Sequence, residues 1–124
     1  MEIISSYSRA DAIRDGVLID ITDIAKRFGF KYPVAITSNL YYTYIDPNGN
    51  MNSIREVDNT LIGDVLTTLY YSIKNSKENE TNIVTVKMTI EISPNETSEI
   101  EFWAHCGPGD DYRPVITIML PEDY

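Results

Sequence analysis

The stretch Val84-Thr85-Val86-Lys87-Met88-Thr89-Ile90-Glu91-Ile92 decides the fold, because apolar and polar residues alternate along it with a strict period of two. Successive side chains of an extended chain point to opposite faces, so this pattern is a strand with one buried and one solvated side. Pro94-Asn95-Glu96-Thr97 supplies turn chemistry, and the chain then returns in the same rhythm. Ile100, Phe102, Ala104 and Cys106 fall on one face, while Glu99, Glu101, Trp103 and His105 fall on the other, away from the core. A third strand, residues 115–120, is apolar on both sides except at Thr117, as expected of a strand covered on two faces or placed centrally. Pro121 stops it.

Upstream of this sheet the period changes. Val57, Leu61, Ile62, Val65, Leu66, Leu69, Tyr70 and Ile73 recur every three or four residues and draw an apolar stripe along one long helix. Lys74 near its end favours the negative pole of the helix dipole. Nearer the start, Ser8 can cap a short helix that Gly16 ends in the left-handed conformation, followed by a strand over residues 17–20. The unit then repeats in kind. Asp20 or Thr22 can cap, Ile21, Ile24, Ala25 and Phe28 share a face, and Gly29 closes the element. Residues 33–45 read two ways: Pro33-Val34-Ala35-Ile36 looks extended, whereas Thr37 or Ser38 can cap a helix across Leu40, Tyr41, Tyr44 and Ile45, and the spacing favours helix. Asp46-Pro47-Asn48-Gly49-Asn50 opens a polar loop extending to about Arg55. These elements predict one α+β domain over residues 1–124, an antiparallel sheet of three to four strands packed on one long amphipathic helix, with short N-terminal helices.

At 124 residues and 43% hydrophobic content the chain can bury one core. Its net charge of −9, concentrated in the C-terminal half, argues against nucleic acid as a partner, since binding to phosphates leans on Lys and Arg. A lone cysteine, Cys106, cannot form an internal disulfide or a Cys-based zinc site. Charged residues from Arg9 to Asp20 interrupt any signal-peptide core, and no apolar run is long enough for a membrane helix. The expectation is a cytoplasmic protein without membrane contact, cofactor or metal.

The densest chemistry lies in His105-Cys106-Gly107-Pro108-Gly109-Asp110-Asp111-Tyr112-Arg113-Pro114. An imidazole with two carboxylates suits a divalent metal, and His105 beside Asp110 can work as an oriented base, but neither pattern is specific. The simpler reading is a turn: Gly107 and Gly109 supply positive φ, Pro108 fixes the entry, and Asp110 and Asp111 accept from turn amides. Cys106 reads as a small buried hydrophobe. His105, Asp110, Asp111, Arg113 and Trp103, with Arg9 and Asp11 from the N-terminal motif, are therefore the candidate ligand or interaction residues. The nine tyrosines include the cluster Tyr41, Tyr42 and Tyr44, which suits a contact surface as well as a half-buried helix.

Two segments carry a family resemblance: Tyr7 through Asp20, and His105 through Asp111 continued by Pro114 through Pro121, with Phe30-Lys31-Tyr32-Pro33-Val34-Ala35 between them. They resemble an uncharacterised family of small bacterial proteins carried on plasmids, conjugative elements and phage-like islands. The resemblance implies no catalytic assignment. Together with the acidic balance, Trp103 and the tyrosines, it points to a non-catalytic mobile-element accessory protein acting by protein–protein binding, for example on a host defence or transfer component. The alternative is a small enzyme or ligand-binding domain centred on the His105, Asp110 and Asp111 loop.

Overall fold

The computed structural model describes residues 7–45, 61–75, 82–93 and 95–124. In chain order the elements are α1 (Arg9–Arg14), β1 (Leu18–Asp20), α2 (Thr22–Arg27), β2 (Val34–Thr37), a three-residue α3 (Ser38–Leu40) running into a π-helical turn (Tyr41–Ile45), α4 (Leu61–Asn75), β3 (Ile83–Ser93), β4 (Glu96–Pro108), β5 (Pro114–Met119) and a 3₁₀ turn (Pro121–Asp123). The polar loop expected at 46–55 and the first turn of the long helix at Val57 lie outside the described residues.

The sheet departs from expectation. It has five strands in the order β1-β2-β5-β4-β3, and it is mixed: β2 runs parallel to β5, with Val34 opposite Ile116 and Ile36 opposite Ile118. An antiparallel sheet of three to four strands is therefore wrong. The reason lies in residues 34–37, which are buried on both faces and so lack the alternation that marks a half-wet strand. The ambiguous 33–45 segment is strand first and helix second, with the Thr37 hydroxyl at the junction accepting from the Leu40 amide. The expectations for β3, β4 and β5 hold, and β5 is the central strand.

Helix α4 is the long helix among the described residues, at 15 residues. It sets Ile62, Val65, Leu66 and Leu69 into one cluster with Val34, Ile36, Val86, Ile100, Phe102 and Ile118 from the sheet, and α2 adds Ile21, Ile24 and Ala25. Ala104 and Ile118 face this layer, so Trp103, His105 and Thr117 face the other side. There α1 and the 3₁₀ turn lie over the sheet, as their bonds to Thr117 and Thr37 show. That cover is why Ala35, Thr37 and Met119 are buried although they point away from α4. Ser8 forms the expected reciprocal capping box with Asp11, and Gly16 and Gly29 take φ of 82° and 98°. The N-cap of α2 is instead Ile21, without a side-chain cap, and Asp20 accepts from the Thr22 amide at 3.0 Å.

Candidate functional site

The loop between β4 and β5 closes through the Gly109 amide donating to the Arg113 carbonyl at 2.8 Å. Neither Gly107 nor Gly109 has positive φ; the left-handed position is Tyr112, at φ 68°. What the two glycines provide is space. A Cβ on Gly107 would stand 2.9 Å from His105 Cε1, and one on Gly109 would stand 2.8 Å from Val115 Cγ1. Tyr112 projects from the loop tip with 87% of its surface exposed.

Asp110 leaves the loop altogether and caps α1, accepting from the Arg9 amide at 2.9 Å and the Ala10 amide at 3.0 Å. Those two bonds hold its carboxyl below the ordinary carboxylate value. Asp111 behaves as a turn residue: it accepts from the Arg113 amide at 3.1 Å and pairs with the exposed Arg113 guanidinium at 3.5 Å. Arg9 crosses to the central strand, donating to Thr117 Oγ1 at 2.6 Å and to the Ile116 carbonyl at 2.9 Å. Burial lowers its pKa, and Asp20 and Asp110 oppose that shift. Asp11 is occupied in the capping box and in an ion pair with Arg14 at 2.9 Å.

His105 sits directly across from Thr117, so it and Arg9 flank the same residue. Its ring lies 6.0 Å from that of Tyr124. The Trp103 ring is half-buried rather than exposed, 5.8 Å from Tyr124, and its indole donates to Glu101 at 3.0 Å. Asp123 holds this cover in place by accepting from Thr37 Oγ1 at 2.7 Å and from Asn39 at 3.0 Å. Thus the N-terminal and C-terminal motifs meet through Arg9 and Asp110, while Asp11 and Asp111 bond within their own segments. Among the described residues, no group of three or more His, Cys, Asp or Glu side chains is placed to hold a metal. Cys106 is half-buried, and burial raises its thiol pKa, which disfavours the thiolate form. In the tyrosine cluster, Tyr41 is buried, Tyr44 packs on the core and Tyr42 alone is exposed.

The second half of α4 presents a different arrangement, which the helical periodicity did not single out. Phe30, Tyr70 and Tyr71 form a chain of edge-to-face contacts, with centroids 5.8 Å and 5.5 Å apart. Lys74 Nζ lies 5.4 Å from the Tyr70 ring centroid. Gly29 lets this assembly close, because a Cβ there would stand 2.8 Å from Tyr70 Cε1. Tyr71, at the end of that chain, and Tyr32, beside Phe30 in sequence, stay in solvent at 59% and 50% exposure.

A groove runs on each side of this ridge. One, about 300 Å³, lies against the α2–β2 turn and is lined mainly by Phe30, Tyr32, Tyr70, Ile73 and Ile116, with Lys31 and Lys74 at its rim. The other, about 530 Å³, lies against the start of β3 and is lined by Thr68, Tyr71, Ser72, Asn75 and residues 83–85. The available signal was the pair Tyr70-Tyr71: Tyr70 fits the core stripe, but the neighbouring Tyr71 must leave it. The ridge itself exists only once Phe30 is brought beside the helix.

The sequence matches, over residues 1–124, the family described as a family of unknown function, DUF6573. The chain belongs to that family. Its membership covers both motifs and the ridge between them in sequence. No curated protein and no solved structure matches the chain.

Proposed function

We propose that the protein is a non-catalytic accessory protein that binds another protein through the aromatic ridge of α4. The observation that carries this reading is the placement of Tyr32 and Tyr71, both half or more exposed, beside grooves on either side of a packed aromatic core. Tyrosine combines large apolar area with a polar tip and few rotatable bonds, which makes it an economical anchor for a contact surface. The likeness to small proteins of plasmids, conjugative elements and phage-like islands supports a mobile-element setting, and with it a host defence or transfer component as the partner. The loop at His105, Asp110 and Asp111 supports a ligand site less well, because both carboxylates already serve backbone amides.

The test is affinity capture from a bacterial lysate with the native protein and with two variants, Tyr32→Ala/Tyr71→Ala and Tyr42→Ala/Trp103→Ala. The first should lose a specific partner and the second should keep it. Equal recovery by both variants, or loss only with the second, defeats the proposal. Substituting interface tyrosines of this kind costs on the order of 2 kcal/mol each, about thirtyfold in affinity.

A further inference from the structure

We infer that the smaller groove receives an acidic segment of the partner, with one bulky apolar side chain seated between the α2–β2 turn and α4 and flanking carboxylates on Lys31 and Lys74. This rests on the reading of the ridge as a protein-binding surface. The floor of the groove is apolar, with Phe30 and Ile116 buried and Tyr70 and Ile73 forming the wall. Its volume of about 300 Å³ stands at the lower limit of ligand pockets, roughly 300–1,000 Å³, which is room for a single anchoring side chain.

The charge at the rim selects the anchor's neighbours. On a chain of net charge −9, the charged side chains lining this groove among the described residues are Lys31 and Lys74, and no described carboxylate lines it. Neither ammonium is in an ion pair with a described residue. Lys74 is instead held over the Tyr70 ring, at the wall of the groove. Two lysines around an apolar cleft, with no carboxylate partner among the described residues, complement carboxylates that flank an apolar residue, and they suppress basic partners. A phosphate backbone would need a longer run of cations than two. A second copy of this chain offers Leu120 through Tyr124 as an acidic, aromatic segment, but Asp123 is tied to Thr37 and Asn39.

The experiment pans a random peptide library displayed on phage against the immobilised protein and measures the selected peptides, fluorescein-labelled, by anisotropy. Enriched peptides should carry an aromatic or large aliphatic residue flanked by Asp or Glu. Lys31→Glu/Lys74→Glu should weaken them at least about tenfold, whereas Lys31→Arg/Lys74→Arg and the distant Lys87→Glu should not. Thermal melts confirm that the variants fold. Enrichment of basic or uncharged peptides overturns the inference, as does binding indifferent to the lysine reversal. If Tyr32→Ala/Tyr71→Ala abolishes peptide binding while the lysine reversal does not, the protein-binding surface stands and its acidic specificity falls. Two further results also overturn it: phenylacetate alone filling the groove as tightly as the peptides, or a dimer in solution that Lys31→Glu splits.

Discussion

The β4–β5 loop and the far end of α4 use their side chains in opposite ways. Around the loop, Arg9, Asp110, Asp111 and Asp123 all carry charge, yet each spends it on a neighbouring backbone or hydroxyl group of the same chain. At the end of α4, Phe30 and Tyr70 are ordinary packing residues, yet around them Tyr32, Tyr71, Lys31 and Lys74 stay in solvent. Polar residues that satisfy one another fasten a fold, whereas apolar and cationic residues that the fold leaves unsatisfied offer something to a partner. Chemical conspicuousness in a sequence does not separate these cases, because it counts groups and not the partners that folding gives them.

Gly29→Ala tests the ridge side of this contrast most severely. The residue has φ of 98°, where a side chain costs about 1–2 kcal/mol, and the new methyl would push on the Tyr70 ring. Allowing about 1–3 kcal/mol for overpacking and about 0.5 kcal/mol regained from the unfolded chain, the variant should be about 1.5–4.5 kcal/mol less stable in urea. Its peptide binding should fall as well, since Tyr70 is both groove wall and support for Tyr71. Full stability with normal binding would mean that the contact between the α2–β2 turn and α4 does not organise the ridge.

Arg9→Ala is the matching experiment on the other side. It removes two charge-assisted bonds to the central strand, and because the side chain is only half-buried the loss should be about 1–2 kcal/mol. Arg9→Lys should recover little of it, since one ammonium cannot reproduce the planar fork that spans Thr117 and Ile116. Peptide or partner binding should stay within about twofold of the native protein in both variants. A binding defect larger than the stability defect would place the latch formed by Arg9 and Asp110, which ties α1 to β5 and to the β4–β5 loop, in the functional surface and erase the distinction between the two regions.

The two regions were also unequally legible. Ser8, Gly16, Gly29 and the alternation of residues 84–92 act within a few positions of chain, so their roles could be read directly. The parallel pairing of β2 with β5 could not be read, because an extended, doubly buried Val34-Ala35-Ile36 carries no local mark of which strand it joins or in which direction. The Asp110 cap on α1 spans 101 positions, and the ridge needs Phe30 beside Tyr70, so both depend on topology that the expected fold did not contain. Of the candidate residues at 105–113, Asp110 meets the Arg9 amide and His105 lies across from Thr117, which Arg9 contacts, whereas Asp111 and Arg113 pair with each other. Their chemistry was legible; its consumption was not.

The smallest effect separates charge from geometry within the latch. Asp110 has a depressed folded pKa because its carboxylate accepts from the Arg9 and Ala10 amides, with desolvation opposing and Arg9 adding attraction. A lowered folded value means that the unfolded chain takes up the proton first, so the contribution is complete above the unfolded Asp value of about 3.9 and disappears as pH falls through the folded value. Asp110→Asn keeps one of the two acceptor oxygens, as the protonated carboxyl keeps one carbonyl, and deletes the charge. Near about pH 7 the variant should melt below the native protein by less than Arg9→Ala does, and the two melting curves should converge on acidification past the depressed value. Amide exchange at Arg9 and Ala10 should follow the same course. A difference that stays constant from neutral to strongly acidic pH would show that Asp110 holds α1 through shape alone, and that the latch owes nothing to the carboxylate that made the loop conspicuous.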